Sequence, residues 1–230
     1  MNNDQYKERP IVAALSRLFD LLVLNALCFI CCLPILTIGA SISSMNYVML
    51  KIVRETDDGI VKPFFRFFFQ NLLKSLPSTL IAVVLAVLLL SNLMVMGEGN
   101  VFTAVFYGLS ITGIALFIII LSWVFLLFAQ FDNTVGGTFV NAVKLAVAHP
   151  NASFLFLLYN GIMILIYLIS PEIFSYLFYL WVFFGIAASG YLSARQAVPV
   201  FNELAPELEP VPDPDLDRED EEEEDELPGI

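Results

Sequence analysis

Residues 28–47 read Cys-Phe-Ile-Cys-Cys-Leu-Pro-Ile-Leu-Thr-Ile-Gly-Ala-Ser-Ile-Ser-Ser-Met-Asn-Tyr, and this stretch decides how the chain folds. An apolar run is interrupted at Pro34, whose ring does not fit a helix interior, and again at Gly39. Small and hydroxylated side chains follow, and Asn46 closes the series. The stretch either turns the chain back through a lipid bilayer or lays it along one membrane face. The number of membrane crossings depends on which of the two it does.

The composition places this chain in a membrane. Hydrophobic residues make up 58% of the sequence, aromatic residues 13%, and the mean hydropathy is +0.79. Soluble domains are only about 45–50% apolar and could not bury so much apolar surface. The net charge of −12 comes from the C-terminus, where residues 203–230 hold 14 Asp and Glu and one Arg. That segment has a charge of −13, which leaves +1 for residues 1–202.

The sequence divides into a membrane domain over residues 1–198 and an acidic tail over residues 199–230. Low hydrophobicity with high net charge predicts that the tail is disordered. Long apolar segments predict an all-α, polytopic transmembrane helical bundle. These segments are 15–33, 38–53, 76–96, 101–128, 154–169 and 173–192. Ser170, Pro171 and Glu172 have the order of an N-cap, a first-turn proline and an acid near the helix dipole, so we expect a helix to begin there.

The segment from residue 62 to residue 74 repeats a basic or amide side chain every four residues, with phenylalanines on the far side. This period predicts an amphipathic helix that lies in the membrane interface. Three of its side chains are candidate contacts for anionic lipid or a partner protein: Lys62, Arg66 and Lys74. A plain interfacial elbow without a specific ligand is the alternative.

The eleven Lys and Arg residues distinguish two topologies. If residues 38–53 cross the membrane, there are six crossings, and all eleven lie on one side. If they do not cross, there are five crossings, and Lys7, Arg9 and Arg17 lie opposite the other eight. The positive-inside rule favours six crossings with both termini in the cytoplasm.

The first apolar run also has the outline of a signal peptide, with Ile38-Gly39-Ala40 as a passable cleavage site. Cleavage would remove one helix of the predicted bundle. We therefore expect the run to be retained as the first membrane helix.

Polar side chains at membrane depth are costly and often mark a binding site or a transport path. The candidate intramembrane polar site consists of Asn25, Thr37, Ser41, Ser44 and Asn46. Asn92 and Asn160 are further polar residues within apolar segments. Hydrogen bonding between packed helices is the alternative role for all of them, and it is the expected role of Asn25.

Enzyme chemistry has no recognisable motif in this sequence. The single histidine, His149, precedes Pro150 and has no HExxH context, and there is no phosphate-binding glycine loop or dinucleotide fingerprint. Cys28, Cys31 and Cys32 lie in one apolar helix, where we expect them to pack as small hydrophobic residues. We therefore expect no catalytic residue, no cofactor, no metal and no nucleic-acid partner.

The ordered features resemble the YesL-like bacterial membrane proteins, a family of unknown biochemical function. The resemblance rests on Leu-Pro-Ile-Leu-Thr-Ile-Gly-Ala-Ser at 33–41, the helix at 47–51, the aromatic and basic stretch at 64–74 with Asn71, Phe-Asp-Asn at 131–133, and 141–144. It extends over about residues 10–200, and the acidic tail is an addition. The resemblance implies a small integral membrane protein of Gram-positive bacteria that is associated with carbohydrate uptake, and it supplies no catalytic residues.

Two functions remain open on this basis. One is an accessory or regulatory protein that binds another membrane complex connected with carbohydrate uptake or utilisation. The other is a transporter of a small, sugar-related solute. Neither the oligomeric state nor the partner follows from the sequence.

Overall fold

The computed structural model describes residues 10–56, 59–95 and 101–204. The predicted turns at 57–58 and 97–100, Lys7 and Arg9, the side chain of Asn92, and tail residues 205–230 lie outside the described residues. Eight α-helices follow one another in the described ranges: α1 (Pro10–Cys31), α2 (Ile38–Val53), α3 (Val61–Val95), α4 (Val101–Gln130), α5 (Val135–Ala148), α6 (Pro150–Ile169), α7 (Pro171–Leu180) and α8 (Ile186–Leu204). A 3₁₀ turn, Ile35–Thr37, precedes α2, and a π-helical segment, Trp181–Gly185, joins α7 to α8.

The all-helical prediction is confirmed for the described ranges, and five to six of the helices are suited to span a membrane. Five are both long and apolar: Ile35–Val53, Val61–Ser91, Ala104–Gln130, Pro150–Tyr167 and Pro171–Leu204. Helix α1, with 22 residues, is the sixth apolar helix. Large apolar side chains cover the outside of these helices, as a lipid environment requires.

Helix α2 lies at the centre of the bundle and contacts α1, α3, α4 and α8. Its 16 residues span only about 24 Å, yet 11 of them are buried. The N-terminal half consists largely of glycine, alanine and serine, whose small side chains let neighbouring backbones approach closely. The short and rather polar segment is therefore the interior helix, and the long apolar helices surround it.

The close approach is greatest where α2 meets α3. A Cβ atom added at Gly39 would collide with the Oγ1 of Thr79. Farther along, the ring of Tyr47 stacks on Phe67 with centroids 4.4 Å apart. Since residue 39 contacts 79 and residue 47 contacts 67, the two helices run antiparallel.

Helix α3 corrects the prediction for residues 62–74. The sequence predicted an interfacial helix separate from the span at 76–96, and this is wrong because α3 is one continuous helix with Pro77 inside it. Phe64, Phe67 and Phe68 are buried on the protein and do not face lipid. This aromatic face holds the segment along α2. The 35 residues of α3 extend about 52 Å, which is well beyond the thickness of a bilayer's apolar core, about 30 Å.

The start of the last span agrees with the sequence. Ser170 is the N-cap of α7, its Oγ accepts a hydrogen bond from the Ile173 backbone N–H at 3.4 Å, and Pro171 occupies the first turn. At its other end, α8 continues past residue 198, where the tail was predicted to begin, and ends at Leu204. Phe201 explains the continuation, because its ring is buried against Phe131 with centroids 5.4 Å apart.

Candidate functional site

The five polar residues that the sequence singled out occupy different environments. Asn25 bonds the π-helical segment and Thr37 lies in the turn before α2. Ser41, Ser44 and Asn46 are all buried on α2. No single pocket contains all five, because they point from their helices in different directions.

Asn25 connects α1 with the π-helical segment and the start of α8. Its Nδ2 donates to the Val182 carbonyl at 2.6 Å, and its Oδ1 accepts from the Ala187 backbone N–H at 2.9 Å. A side-chain amide thus bridges the place where the regular helical hydrogen-bond ladder widens into a π turn. Gly185 belongs to the same segment, and a Cβ atom there would collide with the Trp181 indole. Both polar atoms of the Asn25 amide therefore take part in helix packing.

Thr37 and Ser44 bond nearby backbone carbonyls. The Thr37 hydroxyl lies 2.6 Å from the Cys31 carbonyl and 2.7 Å from that of Pro34, so it satisfies the end of α1. The Ser44 hydroxyl donates to the Ala40 carbonyl one turn earlier, at 2.6 Å. Among the residues that the structure describes, the Ser41 hydroxyl has no hydrogen-bond partner and is buried.

Asn46 lines a cavity of about 220 Å³ at the centre of the bundle. Its side chain is 5% exposed, and it makes no hydrogen bond to any part of the chain that is described. Asn46 stands midway along α2, and the cavity is bounded by α4, α6 and α8. Of the five candidates, Asn46 is the one that lines this cavity.

Three further polar residues complete the cavity: Ser122 on α4, Asn160 on α6 and Ser193 on α8. The Nδ2 of Asn160 lies 3.3 Å from the Ser122 Oγ, 3.4 Å from the Ser193 Oγ and 3.1 Å from the Phe156 carbonyl. Sequence reasoning noted Asn160 but missed both serines, which stand in helices where a serine commonly bonds its own backbone. Ser122 does so, on the Ile118 carbonyl at 2.7 Å.

The walls of the cavity are apolar. Ile42, Phe117, Leu121 and Ile164 are among the lining residues. None of the lining residues within the described ranges carries a charge. Chemically, this cavity offers amide and hydroxyl groups among apolar walls, which suits binding of an uncharged group, and its lining residues supply neither an acid nor a base.

The second candidate feature is the basic end of the bundle. Lys62 is exposed, and Lys74 forms an ion pair with Asp132 at 3.0 Å, which the sequence did not indicate. Both partners of this pair are at least half exposed, so its contribution to stability is small. Arg66 is half-buried beside the aromatic face of α3. Burial lowers the pKa of the Arg54 guanidinium, although arginine stays protonated at neutral pH.

Contacts between helices bring the other basic residues to the same end. The C-terminal parts of α2, α4 and α8 lie beside the N-terminal part of α3. Three contacts place them there: Tyr47 with Phe67, Lys74 with Asp132, and Phe131 with Phe201. The described basic residues that follow α1 all lie in these parts or in α5, which packs on the end of α4: Lys51, Arg54, Lys62, Arg66, Lys74, Lys144 and Arg195.

Comparison with known proteins gives one finding. Residues 21–93 match the model of a family described as "Protein of unknown function, DUF624". The match covers about a third of the chain, from within α1 through most of α3, and includes Asn25 and Asn46. No curated protein and no solved structure matches this sequence. Residues 21–93 are thus similar to an uncharacterised domain family.

Proposed function

We propose that this protein is an accessory or regulatory component of a membrane complex, inserted in the bacterial plasma membrane with six crossings and both termini in the cytoplasm. The observation that carries the proposal is the gathering of basic residues at one end of the bundle. The positive-inside rule assigns such an end to the cytoplasm. Helices α1, α2, α3, α4 and α6, together with α7–α8 as one span, account for six crossings.

The basic end has the features of a docking surface. Lys62 and Lys74 are exposed on α3, which is longer than a bilayer core requires, so its N-terminal part projects beyond the apolar layer. The chain also continues from Phe201, at this same end, into the acidic sequence 203–230. Exposed charges at one end of the bundle favour selective association with a partner of complementary charge.

A connection with carbohydrate uptake or utilisation is part of the proposal. It is supported by the resemblance of residues 33–41, 64–74, 131–133 and 141–144 to the YesL-like proteins. No residue of the cavity or of the basic end identifies a particular sugar.

Removing two exposed charges tests the docking role. In the Lys62→Ala/Lys74→Ala variant, we expect crosslinking and capture from native membranes to recover a stoichiometric partner at least about fivefold less well than with the wild-type chain. Rim charges contribute chiefly to association, so the fold of the variant is preserved. Glu172→Ala is the matched control, because Glu172 is also exposed but lies in the first turn of α7, away from the basic end. Equal recovery from both variants would contradict the proposal.

Transport of a small solute is the second candidate, and the central cavity is the observation that favours it. The cavity lies midway along α2 and α6, where transporters commonly place their substrate sites. Uptake of labelled monosaccharides or oligosaccharides by proteoliposomes that contain only this protein, weakened by Asn46→Ala, would support transport over docking.

A further inference from the structure

We propose that the central cavity is a binding site for an uncharged, membrane-soluble molecule with an apolar body and a hydroxyl group. The hydroxyl would bond the amides of Asn46 and Asn160. This inference does not depend on the accessory role, because it concerns the interior of the bundle and not its basic end.

Asn46 supplies the first part of the argument. A buried polar group without a hydrogen bond costs about 1–3 kcal/mol, and proteins generally satisfy such groups. Asn46 as a whole is 5% exposed, and its amide makes no hydrogen bond within the described residues, although the residue stands among packed helices. Since its amide faces a cavity and not a neighbouring side chain, its natural partner is a molecule that occupies the cavity.

Asn160 determines what that molecule offers. Its amide nitrogen carries two hydrogens, and the three acceptors within 3.4 Å are the Ser122 Oγ, the Ser193 Oγ and the Phe156 carbonyl. Those hydrogens are therefore engaged, while its Oδ1 has no hydrogen bond within the described ranges. Together, Asn46 and Asn160 present two open carbonyl oxygens, and Asn46 also presents an open amide NH₂ group with two hydrogens. A hydroxyl group matches this set, because it both donates and accepts.

The apolar walls of the central cavity determine the size, apolar character and charge of the ligand. The volume of about 220 Å³ exceeds that of an engineered apolar cavity of about 150 Å³ that holds benzene. Ile42, Phe117 and Leu121 form apolar surface on which a ring or a short chain packs. An ion would lose its hydration here without a counter-charge among the lining residues, so the ligand is neutral.

A second cavity indicates the route of entry. It has a volume of about 310 Å³, lies between α4 and α6, and shares Ile118 and Ile164 with the central cavity. Leu158, Ile162 and Leu165 line it and are exposed on the lipid-facing surface. The polar cavity thus adjoins a lipid-facing one at two isoleucine side chains, which offers an apolar molecule dissolved in the bilayer a path to it.

A pair of model ligands tests the inference. We use 4-propylphenol and propylbenzene, which differ by the hydroxyl group, and measure the thermal unfolding of the full-length protein in detergent. Ligand that binds only the folded state raises Tm. We expect 4-propylphenol at saturation to raise Tm by about 3–6 °C, and propylbenzene by much less.

Variants connect the effect to the cavity. Asn46→Leu keeps the side-chain size and removes the amide, so it should need at least about tenfold more 4-propylphenol for the same rise in Tm. Thr112→Val also replaces a polar side chain with an apolar one of similar size, but on the exposed face of α4. This variant should need the same concentration of 4-propylphenol as the wild-type chain. If Asn46→Leu does not fold, Ile42→Phe takes its place in the test. The larger side chain narrows the same cavity, so 4-propylphenol should no longer raise Tm.

The inference is overturned if the two ligands raise Tm equally. It is also overturned if Asn46→Leu or, in its place, Ile42→Phe responds as the wild-type chain does. None of these results bears on the accessory role, which partner capture tests separately.

Discussion

Replacing Asn25 by leucine is expected to lower the free energy of unfolding by about 1–3 kcal/mol, as two hydrogen bonds between membrane helices are lost. The substitution leaves the Val182 carbonyl and the Ala187 N–H without the amide that now bridges them. Leucine has a similar volume, so little of the loss comes from a cavity. Unfolding by SDS titration in mixed micelles measures the change.

Asn71→Leu is the matched control for Asn25→Leu. The Asn71 amide donates to the Phe67 carbonyl of its own helix, at 3.2 Å, and bridges no second helix among the residues that the structure describes. We expect a loss of less than about 1 kcal/mol for this variant. If both variants lose the same stability, the Asn25 bridge does not hold α1 against the π-helical segment and α8.

Gly39→Leu is expected to have the larger effect, a loss of more than about 3 kcal/mol or a failure to fold. Even one added carbon would meet the Thr79 hydroxyl, and forcing extra carbons into a packed core costs about 1–3 kcal/mol or more. The space cannot open easily because α2 is enclosed by four other helices. The yield of folded protein in membranes and SDS unfolding both report the change.

Two further variants identify the cause of that loss. Gly108→Leu is the control, since nothing lies within 4 Å of a Cβ atom at Gly108, and we expect no loss there. Gly39→Ala should be less costly in a Thr79→Ala background than in the wild-type chain, because the colliding hydroxyl is then absent. Additive effects of these two substitutions would show that contact with Thr79 does not explain the requirement for glycine.

The sequence contained enough information to place several elements of the fold. Pro34 predicted the end of the first helix, since its ring interrupts the backbone ladder, and α1 ends at Cys31. Ser170 and Pro171 predicted the start of α7 through capping chemistry, which is local. Residues 38–53 were predicted as a helix with the same bounds that α2 has.

The orientation of the segment at 62–74 was not predictable from its period. A basic stripe opposite phenylalanines arises both in a helix that lies on a membrane and in one that packs on protein. The contact of Phe67 with Tyr47 decides between them, and it joins residues far apart in the sequence. The end of α8 at Leu204 depends in the same way on the contact of Phe201 with Phe131.

The candidate site was predicted only in part. Asn46 was recognised because an amide in an apolar segment is costly, and the structure places it at the cavity. The sequence grouped it with Asn25 and Thr37, whose polar side chains bond other segments of the chain. Ser122 and Ser193 were missed because a serine that faces a cavity has the same local sequence as one that bonds its own helix.

Labelling of single cysteines tests most directly whether α2 is a buried, membrane-crossing helix around which the others pack. With Cys28, Cys31 and Cys32 replaced, one cysteine is placed at Leu36, in the exposed turn before α2, and another, in a separate variant, at the exposed Thr56 after it. A membrane-impermeant maleimide applied to intact cells should label residue 36 and should label residue 56 only after the membrane is opened. Labelling of both positions from the same side would contradict the account.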